Sequence, residues 1–237
     1  MTHLIEMKNV IVERDGARVL DGVSMHLERG ERLAVIGSNG AGKTTFLRAL
    51  IGLQKITGGE IEAFGRIRKH EEDFRDVRLR AAYLFQDADD QLFCPSVVED
   101  VAFGPLNQGF PEEEAMNKAR ATLERLGLSA LSARVTRKLS GGEKRLVCLA
   151  AILAMEPDVL LLDEPTNSLD AHHVEKLVEI ISSLDIAMII VSHDRPVLDR
   201  LASRALLMKN GQLEPAVLHR HPHMHEHVHI HADHDHA

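Results

Sequence analysis

The sequence predicts an α/β fold, in which strands alternate along the chain with helices. Short apolar segments recur between stretches that have helical periodicity. Two of these segments, 158–163 (DVLLLD) and 187–193 (AMIIVSH), are almost continuously apolar, which is typical of parallel strands covered on both faces. Apolar residues make up 44% of the 237 residues and charged residues 27%, so the chain has enough apolar side chains for such a core.

The elements of the first third follow a strand–helix–strand order. The segment 32–37 (RLAVIG) is predicted as a strand that runs into a glycine-rich turn. A helix over 43–53 (KTTFLRALIGL) follows the turn. The next strand is predicted at 81–86 (AAYLFQ). A turn between a strand and a helix is a common place for a ligand site in such folds.

The stretch from about 88 to 155 is predicted to be mostly helical. A helix over 111–127 has a proline in its first turn, acidic residues near its start and a glycine at its exit. A second helix, over 141–155, contains a ten-residue apolar run and should be largely buried. After the two apolar strands, the segment 206–214 is predicted as a hairpin around Asn210 and Gly211.

Composition argues against several functional classes. The formal net charge is -8, whereas a nucleic-acid-binding protein usually carries a basic surplus, so no nucleic-acid partner is predicted. The longest apolar run, 146–155, is too short to cross a bilayer, and the N-terminus lacks the core of a signal peptide. Cys94 and Cys148 have no metal-type spacing. These features favour a reducing, cytoplasmic setting.

Residues 37–44 (GSNGAGKT) match the G-x-x-x-x-G-K-[ST] pattern of a phosphate-binding loop. Backbone amides of such a loop, together with the N-terminus of the following helix, attract phosphate oxygens. Lys43 adds a charge beside the phosphates, and the Thr44 hydroxyl is a suitable ligand for Mg²⁺. A chance glycine-rich turn is the alternative, which the flanking strand and helix disfavour. The predicted nucleotide-binding residues are Gly37, Ser38, Asn39, Gly40, Ala41, Gly42, Lys43, Thr44 and Thr45.

A second pair of acidic residues completes the predicted site. Asp163 ends an apolar strand, where it would reach Mg²⁺ through water. Glu164 follows directly and is predicted to act as general base on the attacking water. The alternative is that Asp163 caps a turn and Glu164 is solvated. The segment 117–120 (NKAR) lacks the aspartate of a guanine-binding motif, so ATP is favoured over GTP.

At residues 139–145 the chain carries LSGGEKR, which resembles the signature motif of ATP-binding-cassette (ABC) ATPases. Gln86 matches that family's Q-loop glutamine, 168–170 (SLD) resembles its D-loop, and His193 matches its switch histidine. The resemblance covers nearly all of residues 1–217. It implies a P-loop NTPase fold: a RecA-like core, an antiparallel β subdomain and an inserted helical subdomain at about 88–155.

The resemblance also implies how the site residues act. Glu164, His193 and Gln86 are predicted to be catalytic, and the Mg²⁺ site is predicted to use Thr44, Gln86 and Asp163. In the family two protomers meet head to tail, and each ATP lies between the P-loop of one and the signature of the other. A second ABC protomer is therefore a predicted partner, in a homodimer or a heterodimer. The residues predicted to contact ATP across that interface are Ser140, Gly141, Gly142 and Asp170.

One part of the sequence departs from the family pattern. Family members usually stack an N-terminal aromatic residue on adenine, but residues 12–16 (VERDG) contain none. The guanidinium of Arg14 is the candidate replacement. The departure bears on adenine affinity more than on catalysis.

The segment 87–109 (DADDQLFCPSVVEDVAFGPLNQG) is similar to the same stretch of energy-coupling-factor importers for cobalt and nickel. In the family this region receives the coupling helix of a membrane subunit. The resemblance implies a peripheral ATPase on the cytoplasmic face of the cell membrane, attached to separate integral membrane transport subunits. The local alternatives are a solvated acidic loop at 87–90 and a core helix after Pro95.

A histidine-rich tail, 218–237, follows the predicted ABC domain at 1–217 and has no core-forming pattern, so it is predicted to be disordered. Imidazole suits Ni²⁺, Co²⁺, Zn²⁺ and Cu²⁺, so the tail is predicted to bind a transition metal and to buffer or sense it. An expression tag and a neutral tail are the alternatives, and the interspersed residues argue against a tag. The predicted ligands alternate along the chain and are His219, His221, His223, His225, His227, His229 and His231.

Three functional classes remain. The first is the ATPase subunit of a nickel or cobalt importer, which the segment 87–109 and the tail favour; zinc, manganese or a vitamin are alternative cargoes. The second is a soluble mechanical ABC ATPase that acts on ribosomes or DNA, disfavoured because the chain has one cassette and no basic surplus. The third is a nickel-insertion chaperone, disfavoured by the missing guanine motif and by the signature at 139–145.

Overall fold

A computed structural model describes residues 3–217, which form two β-sheets and a set of helices. The strands are β1 (Ile5–Arg14), β2 (Ala17–Leu27), β3 (Arg32–Ile36), β4 (Gly58–Ala63), β5 (Arg66–Arg68), β6 (Ala81–Leu84), β7 (Val159–Asp163), β8 (Ala187–Val191), β9 (Arg204–Lys209) and β10 (Gln212–Ala216). The helices are α1 (Lys43–Leu50), α2 (Arg75–Arg80), α3 (Val97–Asn107), α4 (Glu112–Arg125), α5 (Gly141–Leu153), α6 (Ala171–Ser183) and α7 (Arg195–Leu201). The predicted fold class is confirmed: a parallel core sheet, a separate antiparallel sheet and helices inserted between β6 and β7.

The core sheet has the strand order β10-β9-β3-β8-β7-β6. Its inner pairs are parallel, and β10 is antiparallel to β9 in the hairpin that the sequence predicts. Every residue of β7 and β8 is buried, as the continuous apolar runs indicate. The carboxyl ends of β3, β7 and β8 therefore meet at one edge of the sheet.

The antiparallel sheet has the order β2-β1-β4-β5. Its strands β1 and β2 are long, yet their pairing contains register shifts between Met7 and Val10 and again near Val12. These irregularities break the two-residue alternation of buried and exposed side chains along β1. The sheet was therefore predicted from the family resemblance and not from the pattern of the residues.

The two faces of the core sheet pack against different groups of residues. Leu160 and Leu162 of β7 face the helices α3, α4 and α5, whereas the alternate residue Leu161 faces the antiparallel sheet and α1. Phe46 and Leu47 of α1 are completely buried between the two sheets. Burial of apolar side chains on both faces fixes the sheet and with it the positions of the strand ends.

Helix α1 is shorter than the predicted 43–53 because backbone hydrogen bonds close it early. The amide of Gly52 donates to the carbonyl of Ala49 (3.1 Å), and the amide of Leu53 donates to that of Arg48 (2.9 Å). This pair of bonds is a Schellman termination. Across residues 3–217, none of the helices combines the length and the apolar character that a membrane span requires.

Candidate functional site

The loop 37–42 connects the carboxyl end of β3 to the start of α1. A Cβ on Gly37 would lie 2.4 Å from the carbonyl oxygen of Met208 on the neighbouring strand β9, so only glycine fits there. No side chain caps the N-terminus of α1, and its first turn contains no acidic residue. The loop therefore leaves the positive end of an eight-residue helix available to an anion.

Lys43 begins α1 and is almost entirely buried. Its Nζ atom donates to the carbonyl oxygens of Gly37 (2.8 Å) and Ser38 (3.1 Å). The same atom lies 4.0 Å from Oε1 of Glu164. The ammonium group is thus held between the phosphate-binding loop and the end of β7.

Asp163, the last residue of β7, is 1% exposed. The hydroxyl of Tyr83 donates to its Oδ2 atom over 2.7 Å. Its other oxygen, Oδ1, is buried and has no hydrogen-bond partner among the described residues. A buried carboxylate oxygen with no partner is a costly arrangement that a cation or its bound water relieves, so the donor set fits Mg²⁺.

Tyr83 lies on β6 and keeps its proton under all ordinary conditions. Burial first, and then the adjacent charge of Asp163, raise the pKa of the Tyr83 hydroxyl far above its usual range. The hydroxyl therefore acts as a permanent donor to Asp163. No sequence pattern points to this role of Tyr83, because Tyr83 and Asp163 are 80 positions apart and on different strands.

Glu164 follows β7 with a φ of 45°, in the left-handed region, which costs about 1–2 kcal/mol for a residue with a Cβ. Its amide donates to the carbonyl of Val191 over 2.8 Å, which holds the backbone in this conformation. Its Oε2 atom lies 2.9 Å from Nδ1 of His193. The carboxylate is 10% exposed and contacts both Lys43 and His193, so one acidic group joins the ends of three parallel strands.

Arg145 on α5 is 3% exposed and donates only to backbone carbonyls. Its Nε atom donates to Pro165 (2.8 Å), and its Nη2 atom donates to Asp163 (3.1 Å) and Glu164 (2.6 Å). Its Nη1 atom donates to Phe85, the residue before Gln86. Burial lowers the pKa of this guanidinium, but the ordinary value is so high that the group stays charged. The signature motif is thereby connected to the strand ends that carry the predicted chemistry.

A cleft of about 420 Å³ lies between the core sheet and the inserted helices. Its walls include Thr44 after the phosphate loop, Gln86 after β6, and Gly141 at the start of α5. Ser168 and Leu169 of the predicted D-loop line the same cleft. Residues from four of the motifs recognised in the sequence therefore face one space. Lys144 closes part of it through a 2.5 Å ion pair with Asp89.

The N-terminus of α5 is capped by a reciprocal pair of hydrogen bonds. The amide of Glu143 donates to the hydroxyl of Ser140 (3.2 Å), and the amide of Ser140 donates to Oε2 of Glu143 (2.8 Å). The second bond is the main cause that lowers the pKa of Glu143, and an ion pair with Arg134 contributes as well. Glu143 is therefore a fixed negative charge at the start of the helix.

The signature of the chain lies against α6, the helix that follows the D-loop. A Cβ on Gly142 would lie 2.3 Å from the imidazole of His173, so the glycine lets α5 approach α6 closely. Asp170 caps α6: it accepts from the amide of His173 (2.9 Å), and its Oδ2 lies 2.7 Å from the ring Nδ1. The hydrogen bond from the amide of His173 is the main cause that lowers the pKa of Asp170. Within one chain Asp170 is thus a helix cap with an exposed side chain.

Some predicted residues lie away from this group. Arg14 is at the end of β1 with its side chain 76% exposed, beside Asp15, while Val12 is completely buried. The predicted tail ligands from His219 to His231 lie outside the described residues.

The segment 87–109 contains both a structured turn and an exposed apolar surface. Asp100 on α3 is buried and accepts from the amides of Phe93 (3.0 Å) and Cys94 (2.9 Å) and from the hydroxyl of Thr136 (2.8 Å). These bonds fix the turn before α3. They leave Phe93 63% exposed and in edge-to-face contact with Phe103, which is 41% exposed.

Comparisons with known proteins agree with this arrangement. The profile of the ABC transporter family matches residues 20–167. A Brucella suis protein, provisionally named an ABC transporter ATP-binding protein, is 58% identical over 221 residues, 93% of this chain and 92% of its own length. The energy-coupling factor transporter ATP-binding protein EcfA of Methanothermobacter thermautotrophicus is 42% identical over 203 residues, which cover 84% of this chain and 65% of EcfA. The structure of CbiO1 from Clostridium perfringens, described as part of the ABC transporter complex CbiONQ, aligns with a TM-score of 0.79 at 33% identity and covers 90% of this chain and 88% of CbiO1.

Proposed function

This chain belongs to the ABC transporter family of ATP-binding proteins, and we propose that it is the ATP-hydrolysing subunit of an energy-coupling-factor importer whose cargo is nickel or cobalt. ABC ATPases bind ATP and use Mg²⁺, and their hydrolysis of ATP is coupled to transport. They also dimerise and work with membrane subunits. The importer type, the cargo, the location on the cytoplasmic face of the membrane and the roles of single residues are parts of the proposal.

The contact between Glu164 and His193 carries the proposed chemistry. Glu164 lies beside Lys43 of the phosphate loop, so a water molecule next to a bound terminal phosphate can give its proton to the Glu164 carboxylate. His193 holds one oxygen of that carboxylate at 2.9 Å and leaves the other free toward Lys43. The positive φ of Glu164 and the Arg145 bond to its carbonyl fix where the carboxylate lies.

Thr44 and Asp163 are the proposed holders of Mg²⁺, with Gln86 as a third group from the same cleft. The unpartnered Oδ1 of Asp163 is the observation that supports this assignment. When bound, Mg²⁺ neutralises negative charge on the phosphates. Tyr83 keeps the Asp163 carboxylate in a fixed orientation through its other oxygen.

The N-terminus of α5 is the proposed contact for the ATP of a second protomer. Helix α5 has thirteen residues, so its positive end is well developed, and Ser140 presents its hydroxyl there. Gly141 adds no side chain that would block an approaching phosphate. Asp170 lies close by at the start of α6, linked to Gly142 through His173. The proposal thus keeps Ser140, Gly141, Gly142 and Asp170 as residues of a site completed by a partner.

The proposed attachment to membrane subunits uses the segment 87–109. Phe93 and Phe103 form an exposed aromatic pair, and the exposed Leu106 lies one helical turn after Phe103 on α3. Exposed apolar groups on a fixed turn suit the docking of a short helix from another protein. The similarity to EcfA, and to CbiO1 of the CbiONQ complex, supports a partner of the energy-coupling-factor type.

Nickel or cobalt remains the proposed cargo because the histidine-rich segment 218–237 follows the ABC domain at 1–217. We assign that tail a buffering or sensing role in which His219, His221, His223, His225, His227, His229 and His231 bind the metal. The tail is not part of the hydrolytic chemistry. The proposed helical subdomain at about 88–155 contains α3, α4 and α5.

Metal accumulation in cells tests the cargo. The chromosomal copy is replaced by the Glu164→Gln variant, and uptake of ⁶³Ni and ⁵⁷Co is measured beside total zinc and manganese. Glu214→Gln, a change on an exposed edge strand, is the matched control. A selective loss of nickel or cobalt uptake supports the proposal. If only zinc or manganese accumulation falls, or if no metal changes, nickel or cobalt is not the cargo. ATP turnover of the purified protein then decides separately whether the protein is an ATPase.

A further inference from the structure

Three side chains with metal-binding groups lie together at the N-terminal end of the chain: His3, His26 and Glu28. The ring centroids of the two histidines are 4.5 Å apart. One candidate ligand atom from each residue can be chosen so that all three lie within 4.8 Å of one another. None of the three residues belongs to the nucleotide site described above.

One polar atom of this cluster has no partner in the fold. The Nδ1 atom of His3 is buried and has no hydrogen-bond partner among the described residues. A buried ring nitrogen without a partner is costly, because its interaction with water is lost and nothing replaces it. Besides Asp163 Oδ1, which we assign to the Mg²⁺ site, it is the one such side-chain atom in residues 3–217.

Backbone contacts hold the three residues in place. His26 is on β2 opposite Glu6 of β1, and the amide of Leu4 donates to the carbonyl of Leu27 over 2.8 Å. Arg204 donates to the carbonyl oxygen of His26 over 2.6 Å. The amide of Glu28 donates to the side chain of Glu31 over 2.9 Å. The strand pair and the contacts to Arg204 and Glu31 therefore set the backbone positions of His26 and Glu28. The bond between Leu4 and Leu27 keeps the adjacent His3 beside them.

We propose that His3, His26 and Glu28 form a binding site for a divalent transition-metal ion, with Zn²⁺ as its representative. Two imidazoles and a carboxylate are a known type of donor set for Zn²⁺, which leaves a fourth tetrahedral position for water or another ligand. Ligands about 2.0–2.1 Å from a tetrahedral ion are ~3.4 Å apart, so small side-chain rotations close the cluster around the ion. Ni²⁺, Co²⁺ and Cu²⁺ suit the same nitrogen donors.

The proposed metal site and the phosphate loop lie at opposite ends of β3. Glu28 precedes the amino end of β3 by four residues, whereas the loop 37–42 follows its carboxyl end. The bound ion would join the segment before β1 to the connection between β2 and β3. This site is distinct from the Mg²⁺ site. The ion would bind the folded chain and not the unfolded chain, because residues 3, 26 and 28 meet only through the β1–β2 pairing.

The test uses the full-length chain with its nine histidines between 219 and 236 replaced by serine, so that the tail contributes no ligands. Zn²⁺ is titrated against a chromogenic chelator in the presence of Mg²⁺ and without nucleotide. The experiment compares this parent with His3→Asn, His26→Asn and Glu28→Gln versions. His70→Asn is the matched control, because His70 is an exposed histidine outside the cluster and asparagine is also a good helix cap.

We expect the parent to bind one equivalent of Zn²⁺, and the His3, His26 and Glu28 variants to bind at least about tenfold more weakly, since even outer-shell changes weaken metal sites by 10- to 100-fold. The His70 variant should bind as the parent does. Co²⁺ should give visible absorption bands from the parent that the His26 variant lacks. The proposal is overturned if the parent binds no stoichiometric Zn²⁺, or if correctly folded cluster variants, checked by circular dichroism and ATP turnover, bind it as tightly as the parent.

Discussion

His193 and Glu164 are in direct contact: the Nδ1 atom of the imidazole lies 2.9 Å from Oε2 of the carboxylate. The two residues follow the carboxyl ends of the neighbouring strands β8 and β7, and they are 29 positions apart in the chain. Because the other oxygen of Glu164 lies 4.0 Å from Lys43, this acidic group is oriented from two sides.

Glu164→Gln should keep ATP binding and nearly abolish turnover. The amide preserves the shape of the side chain but cannot accept a proton, and general-base catalysis contributes about 10²–10⁴-fold. Steady-state phosphate release measures turnover, and size-exclusion chromatography with ATP should show an accumulated dimer. Turnover close to that of the unaltered chain would show that another group removes the proton. Glu214→Gln is the control for a change of charge at an exposed position.

Lys43→Ala should weaken nucleotide binding by roughly tenfold or more, equivalent to at least ~1.4 kcal/mol. The change removes a buried ammonium group that contacts the carbonyls of Gly37 and Ser38 within the phosphate loop. Calorimetric titration with a slowly hydrolysed ATP analogue measures the effect. Lys55→Ala, at an exposed position after α1, should leave the affinity unchanged. Equal affinities in the two variants would contradict the role assigned to Lys43.

Tyr83→Phe should lower the free energy of unfolding by about 1.5–3 kcal/mol, because Asp163 loses its hydrogen bond from a neutral donor. The Mg²⁺ dependence of ATP turnover should shift to higher concentration as well. Urea denaturation and Mg²⁺ titrations measure the two effects. Thr136→Val removes a similar buried hydroxyl–carboxylate bond at Asp100, outside the proposed Mg²⁺ site, and should lower stability alone. A Mg²⁺ shift of equal size in both variants would argue against the assignment of Asp163.

Arg145→Lys should cost at least about 2 kcal/mol of stability and lower turnover, although the charge is kept. An ammonium group presents its donors from one point and cannot reach four carbonyls that a planar guanidinium contacts. Chemical denaturation and turnover of the folded fraction are the measurements. Arg125→Lys on the exposed end of α4 should change neither. If Arg145→Lys behaves like Arg125→Lys, the guanidinium fork has no special role.

Glu31→Gln should lower stability at neutral pH, and the difference from the unaltered chain should disappear in acid. Burial opposes ionisation of Glu31, but Arg204 and the amide of Glu28 prevail and lower its pKa below the ordinary 4.5. A carboxyl group whose pKa is lowered by folding stabilises the protein above the pKa of the unfolded state. That contribution is lost as the pH falls through the lower folded-state value.

Urea denaturation at several values between pH 7 and pH 3, with a chelator present, measures this difference. We expect it to be about 1–3 kcal/mol at pH 7 and to shrink below about pH 4.5. Glu214→Gln should show no such trend. A difference that is constant with pH would mean that the ion pair with Arg204 does not stabilise the fold.

The motifs of the sequence were sufficient to predict the fold class, and residues from four of these motifs line one cleft. Short runs of characteristic residues mark three parts of the site: the phosphate loop, the end of β7 and the signature. The partners of these residues have no such pattern. Tyr83 reaches Asp163 from another strand, and Arg145 binds carbonyls, which every residue carries. The bounds of α1 likewise depended on backbone hydrogen bonds that the apolar pattern does not encode.

No sequence pattern predicts the proposed metal site of His3, His26 and Glu28. His3 and His26 are far apart in the chain, and only the β1–β2 pairing brings them together. The register shifts in that pairing obscured the alternation from which the strands could have been recognised. The histidines of the tail differ in this respect, because they follow one another at short intervals in the sequence.

The contacts of Arg145 have a consequence for how the protein tolerates mutation. Its four acceptors belong to the peptide backbone, so exchange of the side chain at Phe85 or Pro165 leaves the acceptor in place. A mutation is therefore expected to break these bonds mainly when it replaces Arg145, the donor. Homologous chains can differ widely in the side chains at the accepting positions and still keep the hydrogen bonds between α5 and the ends of β6 and β7.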